Sequence, residues 1–266
     1  MNRVQWCVSS WALACAVTMA FAQTGALPSV SDLAGVTARG RLLYEYDEAA
    51  WHASDAVMAM HPPKEDLGHY IAKKTDSGWV VAFGHLNGTR DAFLVAVLSS
   101  QGKSAQEYAV RKFDPADRDT VFFLAAAKGI EIATSDFHGS NRAYNAAVLP
   151  AAEGQLYVYL VPAPTDSDPN PLGADVRYLV SATGTQIVER RQLHKGIIEN
   201  GPVPAGTKAA AGFHNHVLSD VPEDTDVFHV LTEKPAIPEY IGTEIAVYAV
   251  ETDGTIRVVK KLKKHK

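Results

Sequence analysis

Apolar residues follow a helical period near the start of the chain and a period of two in many later segments. Between Gly40 and Met60 they recur every three or four positions, which places them on one face of a helix. The positions are Leu42, Tyr46, Ala49, Ala53, Val57 and Met60. We therefore predict a helix from Gly40 to Met60, preceded by a turn-rich leader at 23–38 and ended by the prolines after His61.

Short β-rich segments separated by turn residues predict most of the remaining structure. Segments 69–73, 79–85 and 92–98 are joined by Gly-containing turns, which indicates an antiparallel meander. The sequence Asp114-Pro115-Ala116-Asp117 predicts the start of a second helix that runs to about Ile132. Further strands are predicted at 107–113, 143–149, 155–161, 175–181, 186–193, 209–213, 239–242, 245–250 and 255–259, with a third helix beginning near Val221.

These elements predict an α+β protein built from antiparallel and mixed sheets with a few helices. Residues 162–174 contain four prolines and no periodic pattern, so we take them as the boundary between two parts. The N-terminal part spans 23–161 and combines a helix with the meander. The C-terminal part spans 175–259, and the lysine-rich residues 260–266 are interpreted as a solvated basic tail.

The first 22 residues have the layout of a secretory signal peptide. Arg3 precedes an apolar stretch that closes with Ala20-Phe21-Ala22, which is typical of a cleavage site. We expect cleavage after Ala22 and a periplasmic or secreted location, with an uncleaved anchor as the alternative. Both cysteines, Cys7 and Cys15, lie inside this segment, so the expected mature chain has no thiol or disulfide chemistry.

Charge and hydropathy exclude two further classes of protein. The formal net charge is −5, which is not the basic balance expected of a general nucleic-acid binder. After the first 22 residues no stretch is long and apolar enough to predict a transmembrane segment. The sequence identifies neither a partner nor a substrate.

Residues 212–226 contain the pattern with the clearest chemical meaning. His214 and His216 are two positions apart on an extended segment, so their side chains point to the same side. Acidic residues follow at 220, 223, 224 and 226, where the third helix is expected to begin. Two imidazoles, one carboxylate and a water molecule form the ligand set of a catalytic zinc site. Alternatively, the acids cap the helix and the histidines bond to backbone.

Residues 209–259 resemble the core of the JAB/MPN (JAMM) metallopeptidases, in which an apolar strand ends in His-x-His and an acidic ligand opens the next helix. The resemblance implies a JAB/MPN-like fold for this part and a Zn²⁺ site whose ligands are His214, His216 and Asp226. It also implies hydrolysis of amide-type bonds. An upstream glutamate would act as general acid and base, and Glu189 and Glu199 are the candidates.

Three features of this chain differ from the family pattern. Val217 stands where the family has proline, and Glu223 stands where it has the serine that stabilises an oxyanion. The spacing from the second histidine to the acidic ligand is one residue shorter. Ser219 or Thr225 could replace the missing hydroxyl.

Two alternatives remain open at this point. An approach of His194 would give the site a third imidazole, but no pattern requires it, and we treat its position as chance. The rival to a metal-dependent hydrolase is an exported protein that binds a partner or ligand without catalysis, in which the acids serve only as helix caps.

Overall fold

The computed structural model describes residues 27–139, 142–166, 168–198 and 208–263. Within these ranges the chain has the predicted α+β architecture, in which antiparallel and mixed sheets pack against three α-helices. The helices are α1 (Val30–Met58), α2 (Phe122–Asp136) and α3 (Asp224–Thr232). Two short 3-10 helices occupy Lys64–Leu67 and Ala152–Gly154.

The first helix begins ten residues earlier than the hydrophobic pattern predicts. The Ser29 hydroxyl accepts a hydrogen bond from the backbone N–H of Asp32, and the Asp32 carboxylate accepts one from the N–H of Ser29. This reciprocal capping box satisfies amides that would otherwise lack partners, so α1 starts at Val30. The prediction of a leader up to residue 38 was therefore wrong for 30–38.

The first sheet is the predicted antiparallel meander. It consists of β1 (His69–Thr75), β2 (Gly78–Leu86), β3 (Phe93–Gln101) and β4 (Tyr108–Asp119), in that spatial order. The buried face of α1 packs against it and contributes Leu43, Tyr46, Ala53 and Val57 to a core shared with the strands. Tyr46, Ala53 and Val57 belong to the predicted apolar face, and their burial confirms that part of the prediction. Leu43 is buried in place of the predicted Leu42, and Met60 is exposed beyond the end of α1.

The predicted helix start at Asp114 was wrong. Residues 114–117 belong to the edge strand β4, where the pairing register with β3 is interrupted between Val95 and Val97. An edge strand with an irregular register accommodates Pro115, which has no N–H to donate. The carboxylate of Asp119 instead accepts hydrogen bonds from the N–H groups of Val121 and Leu124, and α2 begins at Phe122.

The second sheet contains β5 (Tyr144–Pro150), β6 (Leu156–Pro162), β8 (Val176–Val180) and β9 (Ile187–Gln192), all antiparallel. Between them, β7 (Leu172–Gly173) pairs with β10 (Ile197–Ile198). β6 and β8, which precede and follow the proline-rich loop, are hydrogen-bonded neighbours, so the predicted boundary lies within one sheet. The division of the chain into parts 23–161 and 175–259 stays a prediction.

The third sheet contains β11 (Gly212–Asn215), β12 (Glu239–Gly242), β13 (Ala246–Val250) and β14 (Ile256–Lys261). β11 is parallel to β12, and α3 connects them. The helix also packs closely against α1, where a Cβ atom on Gly40 would lie 2.4 Å from Cβ of Val227. Only glycine permits this approach, which brings the N-terminal helix to the element that carries the predicted acidic ligand.

Two sequence predictions concern the ends of the chain. The predicted signal peptide at 1–22 lies outside the described residues, as does the end of the predicted basic tail from residue 264. The start of that tail, Lys260 and Lys261, belongs to β14. Among the helices of the described ranges, none combines the length and the hydropathy needed to cross a membrane.

Candidate metal centre

Three histidines and one aspartate converge in the interior of the C-terminal region. His194, His214, His216 and Asp226 each offer one ligand atom, and these atoms all lie within 4.8 Å of one another. The Asp226 side chain is completely buried, and the three imidazoles are almost as inaccessible. The group could therefore hold a metal ion.

The shortest distances in the cluster join the Nε2 atoms and the carboxylate. The Nε2 atoms of His194 and His216 are 3.0 Å apart. Oδ1 of Asp226 lies 3.1 Å from Nε2 of His194 and 3.2 Å from Nε2 of His214, while its Oδ2 lies 3.2 Å from Nε2 of His216. Two ligand atoms bound tetrahedrally to one zinc ion at ~2.0–2.1 Å would be about 3.4 Å apart. The observed spacing thus needs only small adjustments to surround one ion.

Local structure explains how each side chain reaches this point. His214 lies within β11, and His216 directly follows the strand with its N–H bonded to the carbonyl of Gly242. This extension keeps the two imidazoles on one side, as the spacing predicts. Asp226 occupies the first turn of α3, where its Oδ2 also accepts the N–H of Glu223 at 2.6 Å. The same carboxylate therefore caps the helix and faces the histidines.

The fourth side chain, His194, comes from the end of the β8–β9 hairpin. The backbone N–H of Leu193 bonds to the carbonyl of Asp175, which fixes the chain just before the histidine. The side-chain amide of Gln192 donates to the carbonyls of Asp175 and His194. These bonds hold the end of the hairpin closed and direct the imidazole inward.

Every imidazole in the cluster is oriented through its second nitrogen. Nδ1 of His194 lies 2.7 Å from Oδ1 of Asp175, and Nδ1 of His214 lies 2.8 Å from Oε1 of Glu239. Nδ1 of His216 lies 2.8 Å from the carbonyl oxygen of Val221. Contacts of this kind from carboxylates and carbonyls orient the histidine ligands of metal sites.

These contacts also fix which nitrogen carries the proton. A carbonyl oxygen accepts hydrogen bonds and cannot donate them, and neither can an ionised carboxylate. The Nδ1 atoms must therefore be the donors, and in neutral imidazoles the Nε2 lone pairs point to the centre of the cluster. Nε2 of His214 is buried without a hydrogen-bond partner among the described residues, since its approach to Asp226 lacks hydrogen-bond geometry.

The electrostatics of the cluster follow from burial and from the enclosed carboxylates. Burial lowers the pKa of His194, but Asp175 and Asp226 outweigh this effect and raise the pKa well above its usual value. Burial also opposes the charge on His214, yet the adjacent carboxylates of Asp226 and Glu239 raise its pKa to about 9. Burial would raise the pKa of Asp226, but the positive charge of His216 and His194 holds it well below its usual range. The protein thus favours a cation beside Asp226.

The three ligands predicted from the sequence, His214, His216 and Asp226, lie together in this cluster. The treatment of His194 as a chance placement was wrong, because it approaches both His216 and Asp226. Its position depends on the fold of a different sheet, and the local sequence contains no signal for it.

The other candidate residues have different surroundings. Glu189 lies exposed on β9, and Glu199 is outside the described residues. The Ser219 hydroxyl donates to the carbonyl of Val221 and lies 3.3 Å from Nδ1 of His216. Thr225 is buried beside the ligand-bearing turn, but its hydroxyl has no hydrogen-bond partner within the described ranges. Neither hydroxyl is directed to the cluster centre by an observed hydrogen bond.

Two of the remaining acids of the predicted group, Glu223 and Asp224, pair with arginines. The Glu223 carboxylate lies 2.6 Å from the guanidinium of Arg191. The Asp224 carboxylate lies 2.6 Å from Nη1 of Arg177 and 2.9 Å from Nη2 of Arg39. Of the acids in this segment, Asp226 alone is observed in the histidine cluster.

Comparison with protein families, with curated proteins and with solved structures finds no match to this chain.

Proposed function

We propose that this chain binds one divalent metal ion, Zn²⁺, through the Nε2 atoms of His194, His214 and His216 and the carboxylate of Asp226. The observation that carries the proposal is that all three Nδ1 atoms are engaged by oxygen acceptors, which leaves three Nε2 atoms facing one carboxylate. Nitrogen and oxygen ligands in a buried, four-membered set match the preferences of zinc.

The contact between His194 and His216 argues for a cation in the centre. Two neutral imidazoles that both donate through Nδ1 would oppose two lone pairs across 3.0 Å. A proton or a metal ion must offset this repulsion. The buried Nε2 of His214 has no hydrogen-bond partner among the described residues, and a metal ion held by all three Nε2 atoms would give it one.

A second candidate function is metal-dependent hydrolysis of amide-type bonds by an exported protein. It is favoured by the order of elements in the JAB/MPN resemblance, because a strand with His-x-His is followed by an acid in the first turn of a helix and by a parallel strand. A catalytic zinc keeps one coordination position for water or substrate. His194 takes that position in the four-ligand arrangement, so hydrolysis requires this imidazole to leave.

Metal content tests the first proposal directly. The purified protein is loaded with Zn²⁺, dialysed and measured by elemental analysis, and we expect one ion per chain. His214→Ala should lower metal affinity by at least about 100-fold, because loss of a direct ligand exceeds the 10–100-fold effect of losing an outer contact. His85→Ala is the matched control, since His85 is an exposed histidine on β2. Absence of zinc from the loaded wild-type protein would contradict the proposal.

Coordination number separates the two candidate functions. With Co²⁺ in place of zinc, a closed four-ligand site gives the intense visible absorption of tetrahedral cobalt, whereas an additional water weakens it. The closed site also predicts no hydrolysis of a library of quenched peptides by the zinc-loaded protein. Hydrolysis that chelation and His214→Ala both abolish would establish the second candidate instead.

A further inference from the structure

A small cavity of about 110 Å³ lies between α1, the proline-rich loop and α3. It adjoins a wider surface cavity of about 560 Å³, and Asp47 and Asn145 border both of them. Together they form a groove that begins beside Trp51 and ends at Asp175, the residue that orients His194. The inner end has room for about three to four groups of the size of a water molecule.

One buried hydroxyl in the wall of this groove lacks a partner. Thr225 is 2% exposed, and its Oγ1 has no hydrogen-bond partner within the described ranges. The nearby Thr232 differs, because its hydroxyl bonds to Oδ1 of Asn170 and to the carbonyl of His229. An unsatisfied buried hydroxyl destabilises the folded protein, and a polar ligand group would remove that penalty.

Asp47 supplies a second unpartnered group. In the described part of the chain its carboxylate forms neither an ion pair nor a hydrogen bond, although burial and then the charge of Glu48 raise its pKa to about 6. Lys234 is the single cation among the described residues that line the groove, and it lies at the outer end. Its ammonium group lies over the ring of Tyr44 and is 3.3 Å from the carbonyl of Leu231.

The outer part of the groove is apolar and aromatic. Trp51 and Tyr70 border it together with Pro164 and Pro169 of the loop. Aromatic faces attract cations and also cover alkyl chains. The groove therefore combines an apolar entrance with an inner end that offers hydrogen-bond acceptors and an uncompensated negative charge.

We propose that this groove binds a ligand with a primary ammonium group on an apolar stem. The ammonium group donates hydrogen bonds to the Asp47 carboxylate, the Asn145 side-chain carbonyl and the Thr225 hydroxyl. The stem lies between the loop prolines and the aromatic residues at the entrance. This site involves none of the four candidate metal ligands, so it stands independently of the metal proposal.

The test uses three small probes of one shape and different charge: n-butylamine, n-butanol and butyrate. Binding is followed by the NMR shift of the Trp51 indole N–H, assigned with Trp51→Phe. We expect butylamine to bind at least tenfold more tightly than butanol, and butyrate not to bind, because hydrogen bonds between an ammonium group and a carboxylate are stronger than those between neutral groups.

Two variants locate the ammonium group. Asp47→Asn should weaken butylamine binding at least tenfold and leave butanol unchanged, and Thr225→Val should weaken it severalfold. Asp76→Asn, in the exposed β1–β2 turn, is the matched charge control and should have no effect. A metal chelator tests whether the amine instead ligates a metal, and the chelator-treated protein should bind butylamine like the untreated protein.

The proposal is overturned if butylamine fails to shift the indole signal or binds no better than butanol. It is also overturned if Asp47→Asn binds the amine with wild-type affinity. Loss of amine binding on treatment with the chelator would overturn it as well and assign the effect to the metal centre.

Discussion

Asp224 and Asp226 are two residues apart in the first turn of α3, and both are completely buried, but their partners differ in kind. Asp224 is surrounded by Arg39, Arg177 and the hydroxyl of Tyr159, which donates to it at 2.8 Å. The partners of Asp226 are three imidazoles, which unlike guanidinium groups can either carry or release a proton.

The difference in partners indicates a structural role for Asp224 and a metal-binding role for Asp226. The guanidinium groups beside Asp224 are permanently charged and are not metal ligands, so they balance this carboxylate within the protein. Imidazoles can lose their protons and offer lone pairs, so the charge of Asp226 can be balanced by a metal ion. The first site joins α1, β6 and β8 to α3, and the second is available for a cation.

The largest expected effect comes from breaking the Asp224 network. Asp224→Ala leaves Arg177 buried without its carboxylate, and loss of one partner from a buried ion pair costs about 3–5 kcal/mol. We expect this decrease in the free energy of unfolding, measured by urea titration, to be the same with and without chelator. A chelator-dependent decrease would show that the two carboxylates are not separate in function.

Metal removal should affect the cluster that contains Asp226 and leave the Asp224 network unchanged. If zinc is present at 100 times its dissociation constant, its removal lowers the free energy of unfolding by about 2.7 kcal/mol. Thermal unfolding with and without a chelator measures this effect, and His214→Ala should abolish the difference. An equal response to the chelator in wild type and variant would contradict metal binding at the cluster.

The next effect concerns the carboxylates that orient the imidazoles. Asp175→Asn and Glu239→Gln should each lower zinc affinity by about 10–100-fold, because the Nδ1 contacts of His194 and His214 lose an ionic acceptor. Competition with a chromogenic chelator measures the affinity. Glu189→Gln, on the exposed surface of β9, is the control and should retain wild-type affinity.

The smallest effect tests a carboxylate with neither kind of partner. The pKa of Asp47 is raised by burial and by Glu48 to about 6, so its charged form is disfavoured in the folded protein. Below pH ~4 Asp47 is neutral, and its burial does not reduce the stability of the folded protein. As the pH rises through about 6 the acid becomes charged, and the cost of burying that charge lowers the stability. After allowance for partial solvent screening, Asp47→Asn should raise the free energy of unfolding by about 1–2 kcal/mol at pH 7. It should change nothing at pH 3.5.

The pH dependence is the decisive part of that measurement. A gain of equal size at both pH values would mean that the substitution acts through packing and not through charge. A loss at pH 7 would show that Asp47 has a partner in solution.

Elements with local signals were predictable from the sequence. The meander β1–β3 follows from Gly-containing turns between alternating strands. The common orientation of His214 and His216 follows from their spacing of two residues on an extended segment. The start of α1 was missed because the small and polar residues of 23–38 were interpreted as a turn-rich leader, although Val30, Leu33 and Val36 continue the helical spacing. The capping pair Ser29 and Asp32 was nevertheless present in the sequence as a local signal.

Features that depend on the tertiary structure were not predictable. His194 joins the cluster only because the β8–β9 hairpin packs beside α3, and no residue near it in sequence indicates that. Asp226 was selected from four neighbouring acids through the family resemblance, whereas the arginines that bind Glu223 and Asp224 come from distant strands and from α1. The partner of each acid is decided by packing.

Zinc stoichiometry in the wild-type protein and in His194→Ala, measured together by elemental analysis and by the spectrum of the Co²⁺ form, tests the metal centre most directly. We predict one ion per wild-type chain with a tetrahedral cobalt spectrum, and weaker binding with a changed spectrum in the variant. A wild-type protein without metal, or a variant identical to it in both measurements, would contradict a four-ligand site that includes His194.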